Sequence, residues 1–312
     1  FPGNGIIDKK EYHRIIEVID MKKMLFIMNP FAGVKRANRH LADIFLTFTQ
    51  AGYEVITHMT LGRGDATAVA REKGKDVDLV VCCGGDGTLN SVVNMYADKE
   101  TKIIYVPSGT LNECSKNADG HFEIRSLGHA DEKYFTYVLA TGTFTPLGYN
   151  VDNKLKRKIK ALAYILGVFK ELKVYRIPAK ICADGKTQKG EYSLIMAIKS
   201  KQCFNLKFNR AYKKTGGIYL LTIAAPKHDK LLGLIELFFP YFRAFFVGFS
   251  KEYSSKRIKF LKINNANITI EGGATFCVDG EKRNMPQSFD IAESGLNPPI
   301  TVISKRCFDK LQ

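Results

Sequence analysis

A chain of 312 residues with 45% hydrophobic and 25% charged side chains is long enough for two domains with their own cores, so it needs no disulfide or metal staple. Its formal charge of +16 lies in one half: residues 1–120 hold 15 basic and 15 acidic side chains, residues 121–312 hold 32 and 16. The seven cysteines form no Cys-x-x-Cys pair, and the most apolar stretch, 231–249, is broken by Glu236, Pro240 and Arg243. These features argue against a disulfide scaffold, a zinc site and a membrane-spanning helix, and for a reducing, cytoplasmic setting.

Residues 1–23 show no signal peptide and read as a leader or remnant with no assigned role. From there strands and helices alternate. The pattern predicts strands at 25–28, 53–60, 79–83 and 102–106, and helices around 41–48, 65–73 and 89–96. Such alternation implies an α/β domain over 24–120, a parallel sheet with helices on both faces. Ligands of such sheets bind beyond the carboxyl ends of the strands. The segments there are 29–33, 60–65, 84–88 and 108–110, rich in glycine and hydroxyls. After about residue 121 the texture changes to short β-rich runs at 134–140, 179–183, 192–198, 218–224, 267–270 and 275–278. These predict a C-terminal antiparallel β-sandwich domain over 121–300, interrupted by helical stretches at 156–172 and 231–249.

The strongest chemical signal is Gly84-Gly85-Asp86-Gly87-Thr88-Leu89-Asn90, which follows a buried strand and opens a helix. Glycines let the backbone approach phosphate oxygens closely, successive amides form an anion nest, and the helix N-terminus adds partial positive charge. Asp86 would repel a bare phosphate, so it needs another reason to be there: holding magnesium, taking a proton from an attacking hydroxyl, or capping the helix. No Walker A sequence is present, and no Gly-x-Gly-x-x-Gly follows the first strand.

The run from Val80 to Asn90 resembles the signature of the diacylglycerol kinase catalytic domain, whose superfamily includes sphingoid-base and ceramide kinases and, more distantly, NAD kinases. Four further segments resemble that family in order: Asn29-Pro30-Phe31-Ala32-Gly33, Thr60 with Gly64-Asp65-Ala66, the run from Pro107 to Asn112, and Val278-Asp279-Gly280-Glu281. The resemblance implies ATP with its magnesium in an interdomain cleft. It implies contacts to the nucleotide from Asn29, Pro30, Phe31, Ala32, Gly33, Thr60, Gly84, Gly85, Asp86, Gly87, Thr88, Leu89, Asn90 and Thr110, and a return of residues 301–312 to the first domain. It places Asp86, Asp279 and Glu281 in catalysis, one of the last two as general base toward a lipid hydroxyl, because an alcohol is a weak nucleophile. Read alone, Asp279-Gly280-Glu281 would be a hairpin turn.

Two departures stand out. Glu113-Cys114 occupies a position where the family has Asp-Phe, and Lys213-Lys214-Thr215-Gly216-Gly217 falls where diacylglycerol kinases often carry an Asp-Asp-Gly structural magnesium site. No protein-held metal is expected there. The basic second half suits an anionic membrane surface; a nucleic-acid partner is not expected, since no recognition motif accompanies the charge. Lys154, Lys156, Arg157, Lys158 and Lys160 form a candidate docking cluster, and the phenylalanine-rich stretch 231–249 reads as a lipid-facing groove, a core helix or a homodimer contact. The expected function is an ATP-dependent kinase of a lipid alcohol, cytoplasmic and peripherally membrane-bound. The alternatives are a soluble kinase of NAD-kinase type and a non-catalytic nucleotide- and lipid-binding regulator.

Overall fold

The computed structural model describes residues 22–30, 41–62, 64–109, 111–115, 123–143, 174–203 and 206–303. The first half alternates β1 (Lys22–Met28), α1 (Leu41–Gln50), β2 (Tyr53–Met59), α2 (Asp65–Lys73), β3 (Leu79–Gly84), α3 (Asp86–Tyr96) and β4 (Lys102–Pro107). The four strands are parallel, in the spatial order β4-β3-β1-β2. β3 is central and buried at all six positions, which is why Leu-Val-Val-Cys-Cys-Gly reads as a continuous apolar run. Side chains alternate across the sheet. Leu25, Ile27, Val80, Cys82 and Tyr105 pack with Val69, Leu89, Val92, Val93 and Tyr96 of α2 and α3. Met24, Phe26, Met28, Leu79, Val81 and Cys83 pack with Leu41, Ile44, Phe45 and Phe48 of α1. Helices therefore cover both faces, as the alternating pattern requires.

The second half is antiparallel. It contains β5 (Glu123–Ala130), β6 (Lys133–Phe135), β7 (Val138–Gly142), β8 (Ile177–Ala183), β9 (Lys186–Ile198), β10 (Ile218–Ala224), β11 (Tyr253–Ser254), β12 (Ile258–Ile263), β13 (Asn265–Thr269), β14 (Ala274–Val278), β15 (Glu281–Met285) and β16 (Ser288–Val302). Its described helices are α4 (Tyr212–Thr215) and α5 (Lys230–Phe242), the latter running into a π-helical turn over Arg243–Val247. β9 divides two cores. Ile195 and Ala197 face a cluster with Leu139, Ile181, Ile268, Phe276 and Phe289. Leu194, Met196 and Ile198 face another with Leu221, Leu237, Tyr241, Phe249 and Phe260, and this second cluster seats α5.

The expected run at 134–140 is two strands, broken at Thr136 and Tyr137, whose amides turn toward Asp279 instead of a neighbouring strand. The helical stretch expected at 156–172 lies outside the described residues. No helix among the described residues is long and apolar enough to cross a membrane.

β16 belongs to both halves. Its first part pairs antiparallel with β13 and β5, and near its end Thr301 and Val302 pair in parallel with Ile104 and Tyr105 of β4. The Ile303 amide extends the ladder to the Tyr105 carbonyl at 2.9 Å. Residues 304–312 lie outside the described residues.

Candidate active site

In the strand order β4-β3-β1-β2, the chain winds one way from β1 to β2 and the other way through β3 and β4. The switch point is between β1 and β3, where a crevice forms beyond the strand ends. Backbone bonds carry the loops out of the sheet together. The Asn29 amide donates to the Cys83 carbonyl at 2.9 Å, and the Thr60 amide to Met28 at 2.8 Å. The amides of Ser108 and Gly109 both donate to the Gly84 carbonyl, at 2.9 and 3.2 Å. Asp65 closes the loop after β2, accepting from the Leu61 amide at 2.7 Å and pairing with His58 at 3.1 Å. The Leu61 amide and then His58 hold the Asp65 carboxyl below its ordinary range. Asn29, Thr60 and the loop 84–90 thus converge on one crevice, with Pro30 at its exposed rim. Phe31, Ala32, Gly33 and Thr110 lie outside the described residues.

Two glycines shape the crevice. A Cβ at Gly109 would stand 2.5 Å from the Gly85 Cα, so the two phosphate-side loops pack backbone on backbone. A Cβ at Gly87 would stand 2.9 Å from Oε1 of Glu281. Glycine here leaves room for that carboxylate, contributed by the second half of the chain, to lie on the phosphate loop, and a side chain would make its tip move aside.

The remaining loop side chains divide by environment. Leu89 is fully buried in the core and has no surface to offer a nucleotide, so among the expected contacts its side chain is a packing residue. Thr88 folds back over the end of β3, where a Cβ at Gly84 would meet its hydroxyl. Asp86 is buried at the first position of α3. Its two carboxylate oxygens accept the amides of Glu113 and Cys114, at 3.0 and 3.1 Å. Burial pushes its carboxyl up to about 7 against the pull of those two donors, with the nearby charges of Glu113 and Asp279 adding to the rise. Asp86 therefore holds the turn 111–115 against the phosphate loop.

Asp279 sits at the tip of the β14–β15 turn with φ 49° and is buried. One oxygen accepts the amides of Tyr137 and Val138, both at 3.0 Å. The other accepts the Thr136 amide at 2.5 Å, the Thr136 hydroxyl at 2.9 Å and the Asn90 side-chain amide at 3.0 Å. Burial raises its carboxyl and the donors oppose the rise. Asn90 also donates to the Tyr134 carbonyl at 3.0 Å, as does Asn94 one turn later, and Asn94 Oδ1 accepts the Tyr134 amide at 2.9 Å. The edge of α3 is thus stitched to the second half of the chain. A further cross-link joins buried Glu113 to Gln202 at 2.7 Å. Thr136, Gln202 and Asn94 were missed by the sequence reading. Only Asn94 left a signal, at helical i+4 spacing from Asn90.

Comparison with known proteins follows this geometry. Residues 23–132 match the model of the diacylglycerol kinase catalytic domain. Over those residues the chain is similar to that catalytic domain. It is 35% identical over 195 residues to a diacylglycerol kinase of Bacillus subtilis (strain 168), covering 56% of this chain and 64% of the relative. It is 31% identical over 188 residues to one of Staphylococcus aureus (strain MRSA252), covering 54% and 60%. The matches therefore span less than two thirds of the length of these curated relatives. A solved diacylglycerol kinase from Bacillus anthracis str. Sterne has the same fold, with a TM-score of 0.61 at 22% identity over 93% of this chain and 99% of that one.

The stretch 213–217, where the resemblance leads us to expect no protein-held metal, is described except for the side chain of residue 214. The Lys262 ammonium donates to the Thr215 carbonyl at 3.0 Å, and a Cβ at Gly217 would stand 2.7 Å from Lys262 Cε. The loop itself supplies no carboxylate; beside it, Glu293 Oε2 would stand 3.9 Å from a Cβ at Gly217, with the Lys262 ammonium nearer still at 3.4 Å, so a cation already occupies the space next to that carboxylate.

Proposed function

We propose that this protein transfers the γ-phosphate of ATP to the hydroxyl of a lipid, diacylglycerol or a related alcohol, at an anionic membrane surface on the cytoplasmic side. The observation that carries this reading is the Glu281 carboxylate held over Gly87 of the phosphate loop. Asp86 and Asp279 have their oxygens committed to buried donors, whereas no described residue donates to Glu281, which is half-buried at the crevice. Glu281 is accordingly the general base: it takes the hydroxyl proton as the oxygen bonds to the γ-phosphorus and the bond to the β-phosphate oxygen breaks, releasing ADP. The amides of Gly85–Thr88 and the α3 N-terminus cradle the phosphates. Magnesium bound to the triphosphate neutralises its oxygens.

Incubating the protein with labelled ATP and a panel of lipid alcohols, alongside NAD and other soluble acceptors, tests the reading. Labelled lipid is expected, with kcat falling by about 10²–10⁴ in Glu281→Gln while ATP binding persists. Label on a soluble acceptor alone, transfer to nothing, or a Glu281→Gln variant with ordinary turnover would each refute it.

A further inference from the structure

The segment 230–247 is apolar on both sides. Gly233, Leu237, Pro240, Tyr241 and Ala244 point inward and are buried. The Tyr241 hydroxyl bonds with Ser193 at 3.2 Å, and a Cβ at Gly233 would stand 2.3 Å from the His228 carbonyl oxygen and 3.1 Å from Val174. The inward face alone accounts for how the helix is seated. A surface helix ordinarily carries polar residues on its other side. Here that side presents Leu231, Leu232, Ile235, Phe239, Phe242 and Phe246, with Leu231 70% and Phe239 71% exposed. Neighbouring rings pack on one another, Phe238 on Phe242 at 6.0 Å and Phe242 on Phe246 at 5.3 Å, so the strip is a preformed ridge.

Its charges are arranged to match. The one acid in the segment, Glu236, is folded back onto His228, the Lys227 amide and Arg257, which together hold its carboxyl down at about 2. Asp229, just before the helix, accepts Arg176 at 3.0 Å. Among the described residues, the one carboxylate within 230–247 is thus paired; at the ends exposed Asp229 is paired with Arg176 and exposed Glu252 accepts the Lys262 amide, and the flanking cations outnumber these two acids. Lys227 and Lys230 are exposed at the start, Arg210 donates to the Val247 carbonyl at 2.7 Å at the finish, and Lys251 is exposed just beyond. Two copies paired through this ridge, in either direction, would bring cationic ends together. A bilayer containing anionic lipid suits both features: the ridge enters the acyl boundary while the cations meet phosphates. A helix of 13 residues is about 20 Å long, too short to span a bilayer but suited to lying in its plane.

We infer that the outward face of α5 and its π-helical turn is the element by which this protein docks on anionic membranes. The inference rests on the lipid-kinase reading for its purpose, but its test needs no turnover.

The chain contains no tryptophan, so Phe239→Trp introduces a single reporter at the crest of the ridge. On adding vesicles of phosphatidylcholine with phosphatidylglycerol, its emission should move to the blue and be quenched by brominated acyl chains, whereas Leu46→Trp on α1 should not respond. In co-sedimentation without ATP, the Phe239→Ser/Phe242→Ser/Phe246→Ser protein should partition at least about tenfold less. Unmoved emission from the Phe239→Trp protein, or sedimentation equal to wild type for the triple variant, overturns the inference. So does a halving of solution mass in the triple variant with vesicle binding intact, which would assign the ridge to a second copy. Because transfer of label from ATP is measured separately, a failed docking test and a failed kinase reading give different results.

Discussion

Asp279 receives five donors, which fills the four lone-pair sites of a carboxylate and shares one. An amide in its place would turn an NH₂ toward buried N–H groups. Asp279→Asn should therefore lower unfolding stability by about 3 kcal/mol, measured by denaturant titration, and reduce activity only through that loss. Asp86 differs because its charge is held at the cost of desolvation. Its folded-state carboxyl lies at about 7 against an ordinary 3.8, so the folded protein binds the extra proton across that interval. The resulting stability is fully present below about pH 4 and is lost as pH rises to about 7. An Asp86→Asn protein lacks this titration. The stability of wild type relative to the variant should fall from pH 4 to 7 and then level off; a difference independent of pH would contradict the assignment. Activity of Asp86→Asn should also drop, because one of the oxygens facing the Glu113 and Cys114 amides becomes a donor. The family resemblance pointed to all three carboxylates, yet could not separate the roles of Asp279 and Glu281. The donors that occupy Asp279 come from residues 90 and 136–138, more than 140 positions away, and nothing local to Asp-Gly-Glu reveals them.

At the scale of elements, the first half was legible because strands buried on both faces must be apolar runs, and β3 is the clearest of them. The second half was less so. β15 is Glu-Lys-Arg-Asn-Met, and β16 contains consecutive prolines; their place in the sheet is set by partners, since neither composition favours a strand. The same dependence on distant partners governs the loop 213–217. The sequence showed that it lacks acids but not that Lys262, from β12, would reach the Thr215 carbonyl. Lys262→Met should cost about 1 kcal/mol, as expected for one exposed charge-assisted bond. In wild type, without nucleotide, exchanging EDTA for magnesium should leave the thermal midpoint unchanged. A magnesium-dependent rise would show that the loop binds the ion after all. The α5 ridge belongs to this scale too: its phenylalanine density was visible in the sequence, but its division into a seated face and a bare one depends on β9 and β10 lying beneath it.

At the scale of the whole molecule, the two halves share covalent and non-covalent fabric. Asn90, Asn94 and Glu113 reach from the first half into the second, and β16 returns from the second to the first. Phe289 and Ile291 near its start are in the antiparallel core; Ile300 and Val302 near its end are in the α/β core. Calorimetry should accordingly show one unfolding transition, with amides of β4 and of β13 exchanging at the same slow rate. Two resolved transitions would show the halves to be independent.

The strand that closes the first sheet also protects it. With Thr301 and Val302 in place, the outer edge of β4 is partly paired along Ile104 and Tyr105. Without them, that edge offers open amide and carbonyl groups beside a run of apolar residues, the arrangement from which strand-to-strand aggregation starts. A fragment ending near residue 107, excised as a portable nucleotide-binding module, should therefore precipitate, and supplying residues 288–303 as a separate peptide should return it to solution.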